Sequence, residues 1–119
     1  MAIQRGEIYS TNLLHKDVRG VEVGKIRPAV VVQANEWNNI LPTTIIVPFT
    51  SRVPGYISLG TVSIKGGEFG LGKDSSLLFS QMRSIDKSRL KKKIGKVSDE
   101  KMDAVDKALS LTLGLEPID

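Results

Sequence analysis

Gly20-Val21-Glu22-Val23-Gly24-Lys25-Ile26-Arg27-Pro28-Ala29-Val30-Val31-Val32-Gln33 is a polar, glycine-containing loop that runs straight into an apolar strand. Pro28 fixes its own φ and has no N–H to donate, so it suits the first residues of a strand and not its middle. The strand is therefore expected over Pro28–Gln33, and its unbroken apolar run predicts burial on both faces. Arg27 falls at its mouth, where loop meets rigid sheet. Functional side chains favour that position because the scaffold holds them while solvent reaches them. An arginine there can equally snorkel at a strand edge without a further role.

Working outward from this junction, a first strand is expected over Arg5–Asn12, centred on Ile8 and Tyr9. The loop from Leu13 to Ile26 carries His15, Lys16, Asp17, Arg19, Gly20 and Gly24, and a loop of that length in a small domain tends to be functional or mobile. Downstream, Asn35–Ile40 reads as a helical turn around Trp37. Thr43–Thr50 reads as a third strand with Ile45, Val47 and Phe49 on one face and Thr44, Ile46, Pro48 and Thr50 on the other. Pro48 predicts an edge or bulge at that point. A bent strand follows over Ile57–Lys65, then a glycine-rich turn from Gly66 to Lys73, a strand over Ser75–Ile85 and a short strand over Ile94–Val97.

Ser98 has the chemistry of an N-cap, with Asp99 and Glu100 complementing the helix dipole. Met102, Val105, Leu109 and Leu113 recur at helical spacing, and Gly114 is placed to end the helix. Several short strands closed by one helix predict a mainly β, α+β chain: a small barrel-like sheet.

The 119 residues, 40% hydrophobic and 25% charged, fit one domain spanning 1–119 with a modest core. No apolar run reaches the ~20 residues of a spanning helix, and Met1 to Gly6 lacks the apolar segment of a signal peptide. The expectation is a soluble cytoplasmic protein with no membrane contact. The absence of cysteine excludes disulfides and thiolate metal sites, and a lone histidine argues against zinc, so neither metal nor cofactor is expected. The net charge of +4 is unevenly placed. Lys87–Lys96 carries +6, the chain before it +2 and the chain after it −4. Such a basic stretch fits a polyanion partner. It equally fits an edge strand kept from aggregating by lysine, and charge alone favours that reading.

Four segments in order resemble the MazF/PemK/Kid toxins of bacterial toxin–antitoxin systems. These are Arg5-Gly6-Glu7-Ile8-Tyr9; Gly20 through Arg27-Pro28; Pro42-Thr43 with Ile45–Thr50; and Asp74-Ser75 through Ser80-Gln81-Met82-Arg83-Ser84-Ile85-Asp86. The resemblance runs nearly end to end. It implies an SH3-like barrel of about six to seven strands with a C-terminal α-helix. It also implies a homodimer, and a metal-independent, sequence-specific endoribonuclease acting on single-stranded RNA, often mRNA. The implied partner is a cognate antitoxin that inhibits by occupying the RNA groove. Arg27 and Thr50 fall on the family's catalytic Arg and Thr/Ser, and Gln81 on a position that lines the RNA site. The chain departs from some members in having Ser80 directly before Gln81 and Leu78 two residues earlier, so a mechanism built on acidic and basic groups there does not carry over.

Metal-free RNA cleavage uses the neighbouring 2′-OH as nucleophile and leaves a 2′,3′-cyclic phosphate and a 5′-OH. One group must take the 2′ proton, one must neutralise the phosphorane-like transition state, and one must protonate the leaving 5′ oxygen. Arg27 suits the second task, because its planar fork grips two phosphate oxygens and stays charged. Thr50 can donate its hydroxyl to a non-bridging oxygen, although a strand-end threonine also serves β propensity alone. Histidine as a residue type suits acid–base work, and His15 sits in the loop before Arg27, where it could also be a bystander. Lys16, Arg19, Lys25 and Arg52 are candidates for phosphate contacts. Trp37 and Phe69 could stack a base, although one tryptophan in a small core is more often packing. Two other functions compete. One is a CcdB-like toxin that poisons DNA gyrase, which needs no Arg–Thr pair. The other is a catalytically silent RNA-binding module.

Overall fold

The computed structural model describes residues 2–13, 26–52 and 61–117. Its strands are β1 (Glu7–Asn12), β2 (Ile26–Val31), β3 (Thr43–Thr50), β4 (Ser63–Ile64), β5 (Ser75–Leu77), β6 (Arg83–Asp86) and β7 (Leu90–Lys96). The helices are α1 (Asn35–Asn38) and α2 (Asp99–Thr112). Every pairing described is antiparallel, and the order across the sheet is β4-β5-β3-β2-β1-β7, with β6 also on β3. The seven strands curl into a half-barrel that α2 closes.

The alternation along β2 and β3 builds two cores, one on each face of the sheet. Val30, Val32, Val47 and Phe49 join Ile8, Leu77, Phe79, Val105 and Ala108 on the face that α2 covers. Ala29, Val31 and Ile46 join Tyr9, Leu13, Ile85 and Leu90 on the other. The expected double-sided burial of the strand after Pro28 is therefore present, with Ala29, Val30 and Val31 all fully buried.

The stretch Ser75–Ile85 is not one strand. It breaks into β5, a 3₁₀ turn at Phe79–Gln81, and β6. Pro48 supplies the reason. Its carbonyl accepts from Leu78 N–H on this edge of β3, but it has no N–H to return. The partner strand loses a ladder bond there and turns, and Leu78 and Phe79 at the turn are both buried. The bulge expected of Pro48 thus appears in the strand opposite it.

Strand β7 begins at Leu90, earlier than the lysines of 91–93 suggest from sequence. It ends the sheet, paired with β1 alone. Much of the basic stretch is engaged within the chain: Lys87 donates to Asn38 O, Arg89 to Asn12 O, Lys91 to Ser88 O, and Lys93 pairs with Glu7 at 2.6 Å. These contacts favour the edge-strand reading of the +6 segment over a polyanion groove. Helix α2 starts at the Ser98 cap, whose hydroxyl accepts from Lys101 N–H. It stops with Gly114 at φ +72°, as Gly114 and Leu115 N–H return to Leu111 and Ser110 carbonyls.

One more feature positions the site. The segment between β4 and β5, residues 66–74, forms a rib that crosses β7. The rib backbone at Gly70 meets the strand at Ile94–Gly95 so closely that a Cβ on Gly95 would overlap Phe69 O, and one on Gly70 would overlap Ile94 O. Only glycine at both positions allows the approach. Gly70 needs it twice over, because its φ is +87°. Gly67 N–H to Leu71 O (2.6 Å) and Gly66 N–H to Asp74 Oδ1 (2.8 Å) tie the rib across its base.

Candidate active site

Arg27 is the second residue of β2, half-buried, and Thr50 is the last of β3. The ladder pairs Ala29 with Pro48 and Val31 with Ile46. Carried two residues further, that register sets Arg27 opposite Thr50, where neighbouring strands bring side chains within reach. The two residues line one cavity of about 450 Å³ with Pro28, Phe49, Leu71 and Lys73.

Among the described residues, the buried Nε of Arg27 meets no hydrogen-bond partner. Leaving a buried donor unmade costs about 1–3 kcal/mol. Arg27 also lines the open cavity, where a guanidinium can serve an acceptor arriving from outside.

Thr50 is buried and its hydroxyl closes a two-residue turn, accepting from Arg52 N–H at 3.1 Å and donating to Arg52 O at 2.9 Å. The accepting bond fixes the oxygen, while the hydroxyl hydrogen can rotate from Arg52 O to a ligand oxygen in the cavity. The side chain of Arg52 itself is exposed beside this turn.

Lys73 is a site residue that sequence reasoning missed. It arrives on the rib, with Leu71 and Gly72, and gives the cavity a second cation. No periodic or motif signal marks it. Two cations and a hydroxyl around one opening, with no carboxylate among the described residues lining it, suit an anion with several oxygens.

Gln81 ends the 3₁₀ turn opposite Pro48, half-buried, and is not among the described residues of this cavity. His15, Lys16, Arg19 and Lys25 lie outside the described residues. Trp37 is 57% exposed on α1 and so does not pack in the core, contrary to the expectation for a lone tryptophan. Phe69, at φ +52°, packs against the core beneath the rib, which ties up its ring. Among the described residues, no group of three His, Asp or Glu side chains could hold a metal ion, and no helix is long and apolar enough to cross a membrane.

Residues 4–113 match the family model described as PemK-like, MazF-like toxin of type II toxin–antitoxin system. The chain is 38% identical over 116 residues, 98% of its own length and 95% of the relative's, to endoribonuclease MazF of Staphylococcus saprophyticus. Among solved structures it is similar to MazF from Deinococcus radiodurans, with a TM-score of 0.76 and 25% identity, covering 96% of this chain and 98% of that one. An endoribonuclease from a mycobacterial species, solved in complex with its cognate antitoxin, shares the fold at TM-score 0.72 and 20% identity, covering 98% of each chain.

Proposed function

This chain belongs to the PemK-like, MazF-like toxins of type II toxin–antitoxin systems, and on that premise we propose that its endoribonuclease chemistry takes place in the cavity between Arg27 and Thr50. The substrate is single-stranded RNA. The observation that carries this reading is that Arg27 and Thr50 line one cavity, with the buried Arg27 Nε unpartnered among the described residues.

A phosphodiester seated there presents its non-bridging oxygens to the Arg27 fork, and the Thr50 hydrogen swings from Arg52 O to one of them. As the 2′-OH attacks, negative charge grows on those oxygens. Donors already in place stabilise it with little reorganisation. Lys73 adds a point charge for the same or the next phosphate. Charge stabilisation by these cations leaves no task that requires a metal, so cleavage is expected to persist in EDTA. His15 is the candidate for proton transfer. Lys16, Arg19, Lys25 and Arg52 are candidates for flanking phosphates, and Gln81 for a more distant nucleotide.

The relatives solved with antitoxin support a cognate antitoxin as protein partner. A homodimer in the cytoplasm completes the reading. Sedimentation at micromolar concentration should give twice the chain mass, and a monomer mass would remove the dimer. The match to an endoribonuclease favours RNA cutting over gyrase poisoning.

The decisive experiment uses an oligonucleotide with one 2′-deoxy residue 5′ to the scissile phosphate. It should bind almost as well as RNA, because its phosphates are unchanged, and should resist cleavage. Efficient cutting of the deoxy strand would mean attack by water and would end this mechanism. Binding of both strands without cutting would indicate a silent module.

A further inference from the structure

A second cavity, also about 450 Å³, opens on the far side of Thr50 and shares Thr50, Ser51 and Ser75 with the first. Its remaining wall comes from β4, β5, the rib and the first turn of α2, and it differs in kind. Lys65 and Lys101 are matched there by Glu68 and Asp74. A phosphate entering it would meet two carboxylates, so its walls do not suit a second anion. They do suit a neutral, planar ligand with donors on one edge and acceptors on another.

The hydrogen bonds already made leave such a set available. Glu68 Oε1 accepts from Lys65 N–H at 3.3 Å and Asp74 Oδ1 from Gly66 N–H at 2.8 Å. These bonds fix the two carboxylates, and among the described residues the second oxygen of each takes no hydrogen bond. Ser63 and Ser76 share one hydrogen bond at 2.8 Å, which leaves one of the two hydroxyl hydrogens to point elsewhere. Lys101 Nζ is steadied by Ser63 O at 3.2 Å. A carboxylate accepts well from an exocyclic amino group, and a hydroxyl or ammonium donates to a ring carbonyl.

We infer that this cavity reads the base of the nucleotide adjoining the cut phosphate, through Glu68 and Asp74, and that it selects a base carrying an exocyclic amino group over uracil. The inference rests on the ribonuclease reading above and extends it from the chemistry to the recognised word. Thr50 stands in the shared wall, so a base seated in one cavity registers its phosphate in the other. The size is right for one small planar ligand.

The test is cleavage of a randomised single-stranded RNA pool in EDTA, with the new ends sequenced, by the wild type, Glu68→Gln and Asp74→Asn. Both variants keep the oxygen that accepts from the rib backbone, and they replace the free acceptor with a donor. The wild type should show one position beside the cut where an amino-bearing base is strongly preferred. Each variant should keep cutting while preference at that position alone falls roughly ten-fold or more. Ser76→Ala, which changes the same cavity from β5, gives an independent reading should a rib variant melt at the assay temperature. Recognition words identical to wild type in the folded variants would overturn the inference while leaving the Arg27 mechanism standing, as would a wild-type word containing only uracil. A wild type that cuts no RNA would overturn the mechanism, and the inference with it.

Discussion

The two cavities that meet at Thr50 have the same volume and share three residues, yet their walls carry opposite logic. One holds Arg27 and Lys73 with no carboxylate among its described lining. The other sets two lysines against two carboxylates. Charge, rather than size, separates the two cavities. The same rib serves both: its Leu71-Gly72-Lys73 end faces the first cavity, while Glu68 and Asp74 face the second. On the proposed reading, the chemistry belongs to the ends of long strands and the specificity to a tied loop beside them, where residues can vary without disturbing the sheet.

The comparison breaks most sharply at Arg27. Arg27→Ala should lose about 10²–10³ in cleavage rate, the loss of a main transition-state donor worth roughly 3–4 kcal/mol. Arg27→Lys should recover little of it, because an ammonium lacks the bidentate fork. In both, the few residual cuts should fall at the wild-type word, since the second cavity is untouched. A near-wild-type rate in either variant removes Arg27 from the chemistry.

Thr50→Val probes the shared wall. A loss of roughly 10- to 100-fold in kcat is expected, with Thr50→Ser close to wild type, because only the hydroxyl is used. Were the hydroxyl there just to close its turn onto Arg52, Val would lower the melting temperature by the ~1 kcal/mol of an ordinary hydrogen bond and spare kcat.

Lys73→Gln should be milder and of another type. KM should rise about three- to ten-fold with kcat nearly kept, and the salt dependence of binding should lose about 0.7 of a log–log unit, one phosphate's share on a single strand. An unchanged salt slope would show that Lys73 does not face the substrate.

The smallest expected effect lies away from both cavities, at Glu7. Burial pushes its carboxyl up, but Lys93, the Gln4 N–H and the Tyr9 hydroxyl together outweigh burial and hold it below its ordinary value of 4.5. The folded state therefore favours the ionised form. That stability is complete above pH 4.5 and drains away as pH falls through the lower, folded value. Glu7→Gln should flatten this acid limb and lower Tm by a few degrees, about 4 °C per kcal/mol lost, while cutting rate and word stay as they were. A changed word would mean the cavities are not insulated from the sheet edge.

The meeting of Arg27 and Thr50 was legible because local rules decide it. Pro28 sets where β2 begins and Thr50 ends β3, and one antiparallel register then brings Arg27 across from Thr50. The Ser98 cap and the Gly114 stop were legible for the same reason. Lys73 was not, because what carries it to Arg27 is a crossing of backbones far apart in sequence, visible only as two glycines without a pattern. The break at Phe79–Gln81 also escaped, since the missing donor that causes it sits on Pro48 in another strand. Strand β7 was under-read because exposed lysines at 91–93 hide its alternation.

The Gly70–Gly95 crossing has a further consequence for how the molecule is made. Arg27, Thr50, Glu68, Lys73 and Asp74 all precede β7 in the chain, so during translation every one of them is synthesised before the strand on which the rib rests. A growing chain on the ribosome thus carries these five side chains before the rib has its support. The rib can take up its crossing only once the stretch around Gly95 has emerged and docked, so the wall it lends to both cavities forms after β7 has been made.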